Sequence, residues 1–136
     1  MREQIDNLIV NLMVIGEFSK DIHYTCHGEA FFGKHLLVDK FDFNEDIDLL
    51  KECCLLGNGD RPLVSKEYLG RTFNAVPTPE TKTDEENFRQ LNYLLLDVLQ
   101  LIDNMQDLSK ADENIIGGIA QKLQQYKGLV NLQIEQ

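Results

Sequence analysis

The sequence predicts an all-α fold, a four-helix bundle in which one long crossover joins the second helix to the third. Three observations predict it. Four stretches carry apolar residues at three- and four-residue steps, no segment demands a sheet, and the long irregular section, residues 57–83, falls between the second and third stretches. With 136 residues, 43% hydrophobic and 26% charged, the chain has the size and composition of one domain, 1–136, that buries a core without disulfide staples.

The first predicted helix runs from about Glu3 to Thr25. Ile5, Leu8, Leu12, Ile15 and Ile22 form its stripe, and Ile9, Met13, Val14 and Phe18 widen it enough to meet more than one neighbour. Gly28 is the stop. The second is expected as one continuous helix from about Glu29 to Leu56, roughly 42 Å long, with Phe32, Leu36, Phe43, Ile47, Leu50 and Cys54 on one face. Gly57-Asn58-Gly59-Asp60-Arg61-Pro62 ends it.

The crossover carries a short helix around Ser65-Lys66-Glu67-Tyr68-Leu69 and is closed by Val76-Pro77-Thr78-Pro79. Thr83-Asp84-Glu85-Glu86 reads as a capping box, so the third helix starts near Asp84. It is expected to reach Leu108 through Phe88, Leu91, Leu95, Val98, Ile102 and Met105, while Leu94, Leu96, Leu99 and Leu101 imply burial on more than one side. Ser109 or Asp112 caps the last helix, whose stripe is Ile115, Ile116, Ile119, Leu123, Tyr126 and Val130. Gly117-Gly118 inside it costs roughly 1 kcal/mol per glycine against alanine, which suggests close approach of a neighbouring backbone.

The net charge of −10 opposes phosphate backbones, and lysine and arginine are scattered singly with no basic tail, so nucleic acid is not expected as a partner. Three cysteines, an odd count with Cys53 and Cys54 adjacent, suit a reducing compartment. No window approaches transmembrane length and no targeting pattern opens the chain. A cytoplasmic location is the expectation.

All three histidines fall within residues 23–35, followed by the carboxylates Asp39, Asp42, Glu45, Asp46, Asp48 and Glu52. Histidine with carboxylate suits iron, manganese or zinc. His23 lies eleven residues after Leu12, about 20° away around the helix, and therefore on the inward stripe. His35 and Asp39 are four residues apart on one helix face, able to share a metal ion or to hydrogen-bond each other. His27 reads as a helix-end residue and the acidic run, by default, as a solvated face.

These residues resemble the Dps-like miniferritins. His23-Tyr24, Gly28, Phe31-Phe32, His35 and Asp39 match the histidine-tryptophan, glycine, phenylalanine, histidine and aspartate pattern of that family at matching spacing, with Tyr24 in the tryptophan position. Pro62 and Lys66-Glu67-Tyr68-Leu69 look like its crossover helix. The resemblance implies a ferritin-like subunit in a homo-oligomer, from a dimer up to a dodecameric shell, that oxidises and stores iron. It also implies an iron site between two subunits, with His23, His35 and Asp39 from one of them. The family's second pair of ligands falls on Leu50 and Cys54 here. Asp48 and Glu52, from the partner subunit, keep the spacing of that pair if the second helix departs from regular geometry near Phe41 to Glu45, and Asp46 is the alternative on the side of Asp39.

Two functions remain open on these grounds. The chain is a ferroxidase that binds iron(II) for storage or protection against oxidative stress, or it is a ferritin-like oligomeric scaffold or binding protein whose metal site is degenerate and inactive.

Overall fold

A computed structural model of the chain describes residues 2–28, 31–79 and 83–134, with only the backbone described for Phe31, Phe32 and Leu36. Six α-helices occur among these residues: α1 (Arg2–Thr25), α2 (Phe31–Val38), α3 (Asn44–Leu49), α4 (Ser65–Ala75), α5 (Asp84–Asp103) and α6 (Lys110–Ile134). A π-helical segment, Leu50–Leu55, and a 3₁₀ turn, Leu56–Asn58, continue α3. No strand occurs among the described residues. The bundle has α1, the α2–α3–π chain, α5 and α6 as its four members, and α4 on the crossover lies along α1.

The stripe of α1 is the centre of the core. Ile5, Leu8, Ile9, Leu12, Ile15, Phe18 and Ile22 are fully buried, joined by Leu91 and Leu95 of α5 and Leu123 and Val130 of α6. Each such side chain contributes about 1.5–3 kcal/mol when fully buried, enough to outweigh weak local propensity in any one turn. The crossover is pinned to α1 through polar groups: the Tyr68 hydroxyl donates to the buried Asp6 carboxylate at 2.6 Å and accepts the Leu63 N–H at 3.1 Å. Asp6 also pairs with Arg2 at 3.5 Å.

The expectation of one continuous second helix is wrong. Glu29 lies outside the described residues, and the helix unwinds between Val38 and Asn44 before continuing as π-helix from Leu50. The physical reason lies in Phe41 and Phe43, two residues apart and therefore about 200° apart on a regular helix. Unwound, both are buried at 3% exposure and reach Tyr126 of α6, at ring separations of 4.7 and 6.1 Å. Lys122 secures the break. Its Nζ donates to the Asp42 carbonyl and to Asp46 Oδ2, each at 2.9 Å, and sits 5.0 Å from the Phe43 ring centre. Asp42 Oδ1 accepts the Asn44 N–H at 3.0 Å, starting α3.

Helix α5 opens with the expected capping box, Thr83 Oγ1 accepting the Glu86 N–H at 3.1 Å and Glu86 Oε1 accepting the Thr83 N–H at 3.3 Å. It ends at Asp103, short of the expected Leu108; beyond its Asn104 cap, Gln4 binds the Gln106 backbone in both directions at 3.1 and 3.2 Å and Asp107 takes a positive φ of 60°. Ser109 is the cap of α6, accepting the Asp112 N–H at 3.1 Å. Of the additional leucines of α5, Leu94, Leu99 and Leu101 are half-buried while Leu96 remains 39% exposed. Among the described residues of one chain no close approach occurs at Gly117 and Gly118: a Cβ at either would meet nothing within 4 Å, and both are exposed.

Candidate metal centre

The last turn of α1 supplies His23 and the middle of α2 supplies His35, and the connection through Cys26-His27-Gly28 folds one back on the other. Gly28 takes a φ of +78°, a backbone setting that glycine adopts without the steric cost a Cβ brings. The two imidazoles stack, with ring centres 3.6 Å apart and planes 27° from parallel. Each is tied to the backbone of the other: His23 Nδ1 lies 3.2 Å from the His35 carbonyl, and His35 Nδ1 lies 2.8 Å from the His23 carbonyl. A carbonyl oxygen only accepts, so Nδ1 carries the hydrogen in both rings and, in the neutral form, Nε2 keeps its lone pair. The Cys26 thiol, at 3.8 Å, is a second donor to the His23 carbonyl.

Asp39 follows α2 on the first residue of the unwound segment. Its Oδ1 is 3.6 Å from His23 Nδ1, and its side chain is 67% exposed against 18% for His23. The structure therefore brings His23 together with both His35 and Asp39. A cleft of about 360 Å³ opens beside them, with Leu12, Met13, Val38 and Phe41 among its apolar walls and His23, Tyr24 and Asp39 among its polar ones. The unwound segment, through Asp39, Phe41, Asp42 and Phe43, forms part of its wall.

The other sequence candidates stand elsewhere. Asp48 on α3 and Glu52 in the π-helical segment are exposed, and Leu50 and Cys54, which occupy the spacing of a second ligand pair, are fully buried core residues. Asp46 is half-buried and its carboxylate is engaged by Lys122 at 2.9 Å. Among the described residues no group of three or more histidine, cysteine, aspartate or glutamate side chains is assembled to hold a metal ion within one chain. Cys54 is a packing residue whose thiol is pushed up to about 12 by burial and by the neighbouring Asp112. The acidic run is otherwise a wet face.

Sequence reasoning missed Asp84. This first residue of α5 accepts the His27 backbone N–H at 3.0 Å and pairs with Lys34 Nζ at 2.9 Å, so it grips the connection between the two histidines from both sides. The capping box placed Asp84 at a helix start, but nothing local showed which distant segment its carboxylate would meet.

No protein-family profile matches the chain, and no curated protein does. Solved structures do. A point mutant of Dps1 from Mycobacterium smegmatis superposes with a TM-score of 0.77 at 14% identity, over 98% of this chain and 94% of that one. Dps from Staphylococcus aureus gives 0.70 at 15% identity, over 99% of this chain and 95% of that one. A third match is the Dps protein of Vibrio cholerae, described as a member of a broad superfamily of ferritin-like diiron-carboxylate proteins. It gives 0.62 at 21% identity, over 98% of this chain and 88% of that one. Helix order, the long crossover with its short helix, and these superpositions over nearly the whole chain agree that this protein has the Dps-like, ferritin-like four-helix fold.

Proposed function

We propose that the protein binds iron(II) and oxidises it at a site completed between two copies of the chain. The observation that supports this is the reciprocal tether of His23 and His35. Donation of the far ring nitrogen to a backbone carbonyl is the support that metal-ligating histidines generally have, because it fixes the tautomer and the ring orientation. With Nδ1 so engaged, Nε2 is the nitrogen of each ring that carries a lone pair, and together with Asp39, which approaches His23 from the Nδ1 side, these are residue types of the two-histidine, one-carboxylate kind that suits non-haem iron(II). Asp48 and Glu52, exposed on their own chain, remain accessible to the site of a second copy.

Iron(II) is the substrate in this reading. Each ion gives up one electron; a peroxide molecule takes up two, or a dioxygen molecule four, and ends, with water, as the oxide and hydroxide of the ferric product while protons are released. Carboxylates stabilise the higher charge of the product. An acidic chain assembled into a shell would surround that product with negative charge, which attracts cations. Storage and protection against oxidative stress follow from that chemistry.

The burial of Leu50 and Cys54 favours a second reading, an oligomeric scaffold that keeps the fold without the reaction. The two separate in a single assay. Purified protein given iron(II) in air is expected to raise the ferric absorbance faster than buffer, and His35→Ala combined with Asp39→Ala to return the rate to that of buffer. A wild-type rate equal to buffer would sink the ferroxidase and leave the scaffold.

A further inference from the structure

The two-histidine stack depends on how the connection between α1 and α2 is held, and that connection is gripped from a third helix. Asp84 lies at the start of α5, with its side chain only 11% exposed. Oδ2 accepts the His27 N–H at 3.0 Å and pairs with Lys34 Nζ at 2.9 Å, while Oδ1 lies 3.5 Å from His27 Nδ1. Lys34 Nζ also donates to the His27 carbonyl at 3.5 Å. His27 follows the end of α1 and Lys34 directly precedes His35, so one carboxylate bridges the two strands of chain that carry the site.

Burial alone would push the Asp84 carboxyl up, but the His27 N–H, Lys34 and the His27 ring together hold it below the ordinary carboxylate value. The Thr83–Glu86 capping box fixes the helix start from which it projects, and the N-terminal end of a helix favours a negative charge. Asp84 is thus a rigidly mounted anion. Its partners are on the site connection and not on its own helix.

We propose that Asp84 is a positioning residue for the candidate metal centre: by clamping His27 and Lys34 it sets the distance between α1 and α2 at which His23 and His35 exchange their Nδ1–H to carbonyl bonds. This rests on the iron reading of the same site for its purpose, but not for its physical content. Without the clamp the connection gains freedom, the reciprocal bonds lengthen, and each imidazole loses the single tautomer that presents Nε2. Asp84 touches no metal ligand, so its effect passes through the backbone.

The test uses the full-length protein in its native assembly and two readouts. Long-range proton–nitrogen spectra of ¹⁵N-labelled protein report the imidazole tautomers without any metal, and cobalt(II), a visible-absorbing substitute for iron(II), reports affinity. In wild type both His23 and His35 are expected as Nδ1–H tautomers. Asp84→Ala is expected to give mixed tautomers at both and to weaken cobalt(II) by at least about tenfold, the scale seen when support of a ligand is lost. Asp84→Asn, which keeps an acceptor for the His27 N–H while dropping the ion pair, is expected to fall between, and it carries the test where Asp84→Ala does not fold.

Tyr68→Phe loosens the crossover at its bond to Asp6, away from this connection, and is expected to lower the melting temperature with the tautomers unchanged, which separates positioning from general loosening. Wild-type tautomers in both Asp84 variants would overturn the proposal. Should wild-type protein bind no cobalt(II), the iron reading falls, while the tautomer comparison still decides the role of Asp84.

Discussion

Tyr68 carries more of the crossover than its helix does. Its ring is 1% exposed, and its hydroxyl sits between the Asp6 carboxylate and the Leu63 N–H. Burial first, and then the hydrogen bond to Asp6, push its hydroxyl up from 10.0 to about 12. A group whose folded value is raised contributes stability that is present below the unfolded value and is lost as pH rises through the folded one. The folded protein is therefore expected to lose stability between about pH 10 and 12 on account of Tyr68, with Cys54, also raised to about 12, acting in the same direction from a lower starting point. Urea midpoints measured across that range should fall in wild type and fall less steeply in Tyr68→Phe. At neutral pH the same substitution leaves the Asp6 carboxylate without its hydroxyl and should cost about 1–3 kcal/mol. A slope unchanged by Tyr68→Phe would show that the alkaline loss arises elsewhere.

Among the elements, α1, α4, α6 and the start of α5 came out as periodicity and capping predict, whereas the continuous second helix and the far end of α5 did not. α1, α4, the start of α5 and α6 follow from apolar spacing and capping residues, which are local. The unwound segment between α2 and α3 does not, because it depends on Tyr126 and Lys122, more than eighty residues further on in the first case and about as far in the second. The same holds for the candidate centre: the spacing of His23, His35 and Asp39 was visible, whereas the carbonyl tethers and the Asp84 clamp are contacts that only the folded backbone creates. Lys122 offers the sharpest test at this scale. Its ammonium satisfies a carbonyl exposed by the break and an adjacent carboxylate, both at 2.9 Å, with side chains still 31% and 19% exposed for Lys122 and Asp46. Lys122→Met should therefore cost about 1 kcal/mol, the scale of a hydrogen bond shared with partly solvated groups. Amide exchange should accelerate in residues 39–46 and stay unchanged in α1. Uniform acceleration throughout the chain would mean that Lys122 supports the whole bundle and not the break.

For the molecule as a whole, the question is what a chain with this surface does in the presence of other copies of itself. Tyr24 is 82% exposed, Tyr93 61% and Leu132 65%, apolar surface that contact with another copy would cover. Against it stands a net charge of −10 per chain, which makes copies repel at distances that salt screens, about 10 Å at 0.1 M. Apolar contact favours assembly at any ionic strength while charge opposes it mainly at low ionic strength, so the assembled mass should increase with salt. The Tyr24 ring stands edge-on to His23 at 4.8 Å and lines the cleft beside the proposed half-site. If a second copy completes that site, Tyr24 is at the contact, and Tyr24→Asp should dissociate the pair of chains across it by adding a charge where an aromatic ring was buried. Size-exclusion chromatography with light scattering at low and moderate salt measures both effects. A species of unchanged mass in Tyr24→Asp would place the contact on another face, and with it the half-site could not be completed as proposed, because His23 and Asp39 open into the same cleft as Tyr24.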